Sequence, residues 1–95
     1  MLFEWDHLKS ERNIKKHGIS FELAQTVFED PLHLASLDSK KQNEERWITI
    51  GRSADDNTLI VVHTYCIELK GVEHIRIISA RQATRKEKKQ YEEGI

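Results

Sequence analysis

The chain has 95 residues, 38% of them apolar and 33% charged, and a formal net charge of −1 at pH 7. This length predicts one domain over residues 1–95 with a single small core. The near-neutral charge argues against binding nucleic acid through the overall field, so a phosphate site must be a local concentration of cations. One cysteine excludes an intrachain disulfide. With no apolar run of about 18 residues, this favours a soluble cytoplasmic protein without membrane contact.

The first part of the chain predicts a short strand followed by two helices. Residues 1–5 are mostly apolar and favour a strand. Asp6 is a suitable N-cap for a helix that ends at His17, because Gly18 readily adopts the positive φ of a helix C-cap. Ser20 predicts the N-cap of a second helix. The apolar residues of that helix recur at helical spacing and are expected in the core: Phe21, Ala24, Val27 and Phe28.

Consecutive strands are predicted from residue 33 onward. Residues 33–37 suit an edge strand, and the polar residues 39–43 indicate a turn. Residues 46–52 and 58–66 predict two further strands, the second with an apolar centre that suits burial. A fourth strand follows a turn at Lys70-Gly71. The fold class expected is therefore α+β, with a single antiparallel sheet in the order β-α-α-β-β-β-β-α and helices packed against it.

The stretch from His74 to Glu87 begins as a strand and ends as a helix. Ser79 and Gln82 have the spacing of a capping box, which predicts a last helix from about Arg81 to Glu93. Residues 76–90 hold six Lys or Arg and one acid. Guanidinium groups beside a helix N-terminus suit phosphate, because their fork-shaped donors add to the free backbone N–H groups of the first turn.

Several runs of the chain share their order and spacing with one known protein family. The C-terminal run is Ile75-Arg76-Ile77-Ile78-Ser79-Ala80-Arg81, followed by Ala83, Thr84, Glu87 and Tyr91. The other runs are Phe3-Glu4-Trp5-Asp6, Asn13 with Lys16-His17-Gly18, Phe28 with Asp30-Pro31, Glu45-Arg46-Trp47 and Ile50-Gly51. Together they resemble the BrnT family of bacterial ribonuclease toxins. The resemblance implies a RelE-like fold, cleavage of RNA without a cofactor, and growth arrest through loss of translation.

The same resemblance implies a cognate antitoxin, a BrnA-like DNA-binding protein that neutralises the toxin. Operator DNA would then be contacted only through the toxin–antitoxin complex. The expected contact surface is on the last helix: Arg85, Lys88, Lys89 and Tyr91. Because the apolar residues of that helix are only Ala83 and Tyr91, we expect the domain to hold it weakly and the antitoxin to stabilise it.

The histidines do not favour a metal site. They stand at positions 7, 17, 33, 63 and 74 and form no pair at metal-ligand spacing. The four glycines are not grouped into a phosphate loop. Together with the ribonuclease activity that the resemblance implies, these absences favour metal-free cleavage of RNA. In that reaction the 2′-hydroxyl attacks the adjacent phosphate while protein groups move protons and stabilise the added negative charge.

The candidate catalytic residues are Lys16, His17, Arg76 and Arg81. His17 ends the first helix, where it can transfer protons near neutral pH or simply stabilise the helix C-terminus as a cation. Arg76 and Arg81 flank the predicted strand-to-helix junction. The candidate RNA-binding residues are Arg46, Arg52, Arg85 and Lys86. For each arginine, the alternative is an ordinary surface ion pair.

A non-enzymatic function is the rival hypothesis. The family often has an arginine near the end of the strand predicted over residues 58–66, where this chain has Tyr65-Cys66. The near-neutral charge and this replacement favour a module that binds its antitoxin and co-represses their operon with little or no cleavage. The pairs Lys16-His17 and Arg76/Arg81 favour the ribonuclease.

Overall fold

The computed structural model describes residues 1–41 and 44–94. Its elements follow the predicted order, with a two-residue strand and a 3-10 turn added. Their bounds are β1 (Leu2–Glu4), α1 (His7–His17), α2 (Phe21–Gln25), the 3-10 turn (Thr26–Glu29), β2 (Leu34–Lys41), β3 (Glu44–Arg52), β4 (Thr58–Thr64), β5 (Cys66–Ile67), β6 (Glu73–Gln82) and α3 (Arg85–Glu93). No helix in this described part of the chain is both long and apolar enough to cross a membrane.

The predicted caps of the first two helices are confirmed. The Asp6 carboxylate accepts hydrogen bonds from the backbone N–H groups of Leu8 and Lys9. Gly18 ends α1 with a φ of 73°, a conformation that costs glycine little. The Ser20 hydroxyl accepts from the first turn of α2.

The sheet is mixed, so the prediction of a purely antiparallel sheet is wrong. The strand order is β1-β6-β4-β3-β2, and β5 extends the pairing along β6. The strands β2, β3, β4 and β6 form the predicted antiparallel meander. The edge strand β1 pairs with β6 in parallel. A parallel pair requires a long connection between its strands, and here almost the entire chain separates them.

The core lies between one face of the sheet and the two N-terminal helices. Its most buried apolar side chains are at most 2% exposed: Phe21, Ala24, Val27, Leu59, Val61, Ile75, Ile77 and Ala80. We call this the helix-covered face. Because side chains alternate along a strand, the other face of β3 carries Arg46, Ile48, Ile50 and Arg52. We call that the open face, and α3 lies over part of it, where Glu87 and Gln90 line a depression with the isoleucines.

The strand-to-helix junction lies later in the chain than predicted. β6 continues to Gln82, and the capping box is formed by Thr84 and Glu87, not by Ser79 and Gln82. Residues 79–82 pair with β4, so the backbone groups that a cap would satisfy are already bonded within the sheet. Likewise β2 extends through Lys41 in the segment predicted as a turn, whose residues 42 and 43 lie outside the described residues.

The last helix is held more firmly than its composition suggested. Tyr91 is 8% exposed, and its hydroxyl donates a hydrogen bond of 2.5 Å to the Asp30 carboxylate. The same carboxylate accepts from the backbone N–H groups of Leu32 and Arg52. A single buried tyrosine therefore fastens α3 to the loop before β2 and to the end of β3.

Candidate functional site

Three cations from three different elements line one small pocket at the edge of the open face. Lys9 comes from α1, Arg46 from β3 and Arg76 from β6. The pocket has a volume of about 170 Å³ and is completed by Asp6, Ile77 and Ile78. We call it the phosphate pocket, because converging guanidinium and ammonium groups are the usual protein ligands of phosphate.

The sheet register brings the two arginines of the phosphate pocket together. Arg46 pairs with Thr64 across the β3–β4 ladder. The backbone N–H of Arg76 donates to the Thr64 hydroxyl over 3.3 Å. Thr64 thus lies between the arginines, in a row across three strands. Lys9 joins them because α1 begins directly after β1, which is paired with β6 beside Arg76.

The phosphate pocket carries a small positive excess. Arg76 Nη2 lies 2.6 Å from the Glu44 carboxylate, and both side chains are about half exposed to solvent. Among the described residues, Lys9 and Arg46 form no ion pair. The Asp6 carboxylate is engaged as the cap of α1. One bond to Glu44 leaves the other N–H donors of Arg76 available, because a guanidinium carries five.

Arg81 has a different partner and does not line the phosphate pocket. Its guanidinium makes a two-point contact with the Glu87 carboxylate, at 2.8 and 2.9 Å. That contact, followed by the bond from the Thr84 backbone, lowers the pKa of Glu87 to about 2. Arg81 therefore joins β6 to the capping box of α3, and its predicted role at a phosphate stays a prediction.

The N-terminal candidates lie at the other end of α1 from the phosphate pocket. Lys16 follows Lys9 by seven residues, which places it on the same side of the helix about 10 Å farther along the axis. His17 is the last residue of α1 and is partly buried. Neither residue belongs to the lining of the phosphate pocket, which includes Arg76. The catalytic role predicted for Lys16 and His17 stays a prediction.

A comparison with protein families matches residues 5–87 to BrnT_toxin, described as the ribonuclease toxin BrnT of type II toxin–antitoxin systems. The chain belongs to the BrnT family. It is also similar to the crystal structure of the Brucella abortus ribonuclease toxin BrnT, with 24% sequence identity and a TM-score of 0.60. That match covers 90% of this chain and 100% of the other, and at such identity it shows the fold alone. None of the curated proteins matches the chain.

Lys9 is the residue of this BrnT-family pocket that the sequence analysis missed. The spacing of Lys9 and Lys16 does indicate that they lie on the same side of the helix, because seven residues make about two helical turns. Such spacing is also typical of an ordinary solvated helix face, so it does not by itself single out Lys9. Only the pairing of β1 with β6 shows that the first turn of α1 meets Arg76.

Asn13, which is part of the BrnT-family resemblance, has a structural role that the sequence did not reveal. Asn13 is 6% exposed, and its side chain hydrogen-bonds the backbone of β6 at Ala80, where no strand of the described chain pairs on that side. The Asn13 carbonyl oxygen accepts from the Ala80 N–H at 3.1 Å, and its amide donates to the oxygens of Ala80 and Ile19 at 2.8 Å each. Asn13 thereby fastens α1 along the edge of β6 and satisfies backbone groups that no strand reaches.

The other predicted RNA-binding and antitoxin-binding residues are dispersed. Arg52 shares the open face with Arg46, as predicted, but does not line the phosphate pocket. The cations of α3 are exposed: Arg85, Lys86, Lys88 and Lys89. Tyr91 points inward to Asp30, so its side chain is not offered to a partner in this conformation. In the described part of the chain, no three His, Cys, Asp or Glu side chains group as a metal site.

Proposed function

We propose that this BrnT-family toxin is a metal-independent endoribonuclease with a RelE-like fold that acts on cytoplasmic RNA. The proposal rests on one observation above all, the convergence of Lys9, Arg46 and Arg76 on the phosphate pocket. A pocket of that size with three cationic groups suits the phosphodiester of a single RNA strand. Cleavage of cellular RNA would stop translation and growth.

The cations of the phosphate pocket match what RNA cleavage requires. Attack of the 2′-hydroxyl on the adjacent phosphate produces a transition state with an additional negative charge on the phosphate oxygens. Donors held in place before the reaction stabilise that charge, and one such donor contributes about 3–4 kcal/mol in well-studied enzymes. Arg76 is held by Glu44 at 2.6 Å, which limits the rearrangement needed when RNA binds.

Lys16 and His17 fit a second role along the same RNA strand. The shared side and two-turn separation of Lys9 and Lys16 define a cationic line along α1. An RNA strand that follows α1 from the phosphate pocket would bring a neighbouring phosphate to Lys16. His17, at the end of this line, would serve in binding and not as the base at the scissile phosphate.

The second candidate function is an antitoxin-binding module with little or no cleavage. The observation that favours it is that Arg76 and Arg81 each contact a carboxylate of the same chain, so part of their positive charge is neutralised within the fold. In either function we propose a BrnA-like antitoxin as partner, with operator DNA reached only through that protein. The exposed cations of α3 remain the proposed contact for its acidic residues.

Expression of single variants tests the ribonuclease. Lys9→Ala and Arg76→Ala are each expected to lower the rate of RNA cleavage by about 100-fold, since each removes one charged donor from the phosphate. The measurements are growth after induction and cleavage of a labelled RNA by the purified chain. Lys15→Ala is the matched control for Lys9, because it is an exposed lysine on the same helix and does not line the pocket.

The outcomes separate the two candidate functions. If the parent chain cleaves RNA and Lys9→Ala behaves like Lys15→Ala, the phosphate pocket is not the site. If the purified parent cleaves no RNA yet binds its antitoxin, the non-enzymatic module is the correct function. Circular dichroism of each variant establishes that a loss of activity is not a loss of folding.

A further inference from the structure

A second concavity lies on the helix-covered face of the sheet, away from the phosphate pocket. Its aromatic walls include Phe28, Trp47 and Tyr65, and its volume is about 240 Å³. The rings of Trp47 and Tyr65 meet edge to face, with centroids 6.4 Å apart. Small-molecule sites usually occupy about 300–1,000 Å³, so this concavity suits one inserted side chain. We call it the aromatic cup; Glu73 and Ile75 complete its wall.

One wall of the aromatic cup presents acceptor oxygens. The Tyr65 hydroxyl donates a 2.7 Å hydrogen bond to Glu73 Oε2. The phenol proton is thereby used, while the phenol oxygen and Glu73 Oε1 keep free lone pairs. Both side chains are partly exposed and reachable from solvent. This wall therefore accepts hydrogen bonds and carries a carboxylate.

Both ring nitrogens of His63 are used within the fold, so of the two histidines of the aromatic cup only His33 keeps a ring nitrogen unpaired in the part of the chain that the structure describes. His63 Nδ1 lies 2.9 Å from the Thr64 carbonyl, so Nδ1 must be the donor, and burial lowers the pKa of His63 and keeps it neutral. His63 Nε2 then accepts from the Thr49 hydroxyl at 2.7 Å. In the same way His33 Nδ1 donates to the Asp30 carbonyl at 2.7 Å, which leaves His33 Nε2 as an acceptor.

The side chains that line the aromatic cup offer a ligand few donors. No Lys or Arg belongs to its lining within residues 1–41 and 44–94; Met1, which carries a main-chain amino group and is 57% exposed, also lines it. Trp47 Nε1 has no acceptor among the described residues, but it is shielded from solvent. A neighbouring depression shares Tyr65 and adds Glu4, Glu44 and Glu45 against the single cation Arg76. This depression holds three acids and one cation, and it borders the phosphate pocket at Arg76.

We propose that the aromatic cup binds the arginine side chain of a protein partner. A guanidinium has five donors, no acceptor and a flat face that lies favourably against aromatic rings. Those properties are complementary to a cup of aromatic rings, acceptor atoms and one carboxylate. The guanidinium donates to Glu73 and to the phenol oxygen of Tyr65. The proposal rests on the proposed function only in identifying that partner as the antitoxin.

The test uses the purified full chain and short blocked peptides. The probe is acetyl-Gly-Arg-Gly-amide, and its matched peptide carries citrulline, which has the same shape without the charge. Binding is followed by the NMR shift of the Trp47 indole N–H. The arginine peptide is expected to bind with a Kd of about 1–10 mM, the range for one partly exposed cation–π and ion-pair contact. The citrulline peptide is expected to bind at least about tenfold more weakly.

Two variants and a control locate the binding. Glu73→Gln is expected to weaken arginine binding about tenfold by removing the charge while keeping the shape. Tyr65→Phe is expected to weaken it less, since only one acceptor is lost. Glu68→Gln is the matched control, because Glu68 is an exposed acid nearby that contacts His74 outside the cup.

Several results would overturn the proposal. One is that the arginine peptide shows no saturable binding, or that the citrulline peptide shifts the Trp47 signal as much as the arginine peptide does. Another is that Glu68→Gln weakens arginine binding as much as Glu73→Gln does. A third is that guanosine binds more tightly than the arginine peptide. None of these measurements uses RNA cleavage, so a failure here leaves the ribonuclease proposal untouched. Conversely, loss of the ribonuclease proposal would leave binding of the arginine peptide unchanged.

Discussion

The four arginines of β3 and β6 show how strongly position determines the role of one residue type. Arg46 and Arg76 line the phosphate pocket, Arg52 shares their face without reaching it, and Arg81 is bound to Glu87. The difference comes from the partners that each strand position provides. Arg81 is followed six residues later by the acid of the α3 capping box, so its charge is used within the fold.

The Arg81–Glu87 contact predicts a pH dependence of stability. The pKa of Glu87 is lowered from 4.5 to about 2 in the folded protein. A lowered pKa stabilises the folded state above the unfolded value of 4.5, and this contribution is lost as the pH falls toward 2. Because Arg81 is 41% exposed, solvent screening reduces the effect, and we expect about 1 kcal/mol.

Urea unfolding of Glu87→Gln at pH 6 and pH 2.5 tests this dependence. Glutamine keeps the capping box but cannot pair with Arg81 as an anion. The parent should therefore lose about 1 kcal/mol more than the variant between the two pH values. Glu92→Gln, on an exposed position of the same helix, should behave like the parent. Parallel losses in the parent and Glu87→Gln would contradict the assigned ion pair.

At the scale of elements, α3 is a polar helix secured at a few points. Its surface residues are charged, yet Tyr91 is buried and Glu87 closes the capping box. The hydrogen bond from Tyr91 to Asp30 also reaches the end of β3 through the Arg52 N–H. Anchoring of this kind lets a helix with almost no apolar stripe remain in place.

Tyr91 is therefore predicted to hold α3 on the sheet. Tyr91→Phe should lose one hydrogen bond, about 1 kcal/mol, and keep the helix docked. Tyr91→Ala should cost about 3 kcal/mol and release α3, because the buried ring is removed as well. Amide hydrogen exchange is the measurement, with faster exchange expected in residues 88–91 of Tyr91→Ala and unchanged exchange in β4. Rapid exchange of α3 already in the parent would contradict this anchoring.

For the whole molecule, the formal charge of −1 conceals local differences. The phosphate pocket gathers cations at the edge of the open face, while the aromatic cup on the helix-covered face is lined by aromatic rings, acceptor atoms and Glu73. Under the two proposals above, an RNA strand and a protein partner would use these different surfaces. The membership in the BrnT toxin family is consistent with two such binding functions.

Cleavage of RNA is predicted to proceed without a divalent metal. In the proposed mechanism Lys9, Arg46 and Arg76 would supply the positive charge that a metal ion supplies in other enzymes. Activity should therefore persist in EDTA and leave 2′,3′-cyclic phosphate ends. These ends resist 3′-end labelling until the cyclic phosphate is opened and the resulting phosphate is removed. A strict requirement for added Mg²⁺ or Mn²⁺ would refute this mechanism.

The sequence by itself determined the kind and order of the main helices and strands, because their signals are local. Asp6, Gly18 and Ser20 act within one helical turn, and the apolar run of residues 59–62 needs no distant information to predict a strand. Alternation along β3 likewise placed Arg46 and Arg52 on one face. The order of elements and the antiparallel meander follow from short turns between strands.

Only the tertiary structure determined the parallel pairing of β1, the end of β6 and the membership of the phosphate pocket. Each depends on residues far apart in the chain. Pairing with β4 keeps residues 79–82 in the sheet even though Ser79 and Gln82 have the spacing of a cap. Pairing of β1 with β6 brings Lys9 to Arg76, and burial of Tyr91 against Asp30 fixes α3. Local propensity amounts to a few tenths of a kcal/mol per residue, roughly, whereas backbone groups left unbonded in the sheet would cost more, so the long-range pairing prevails.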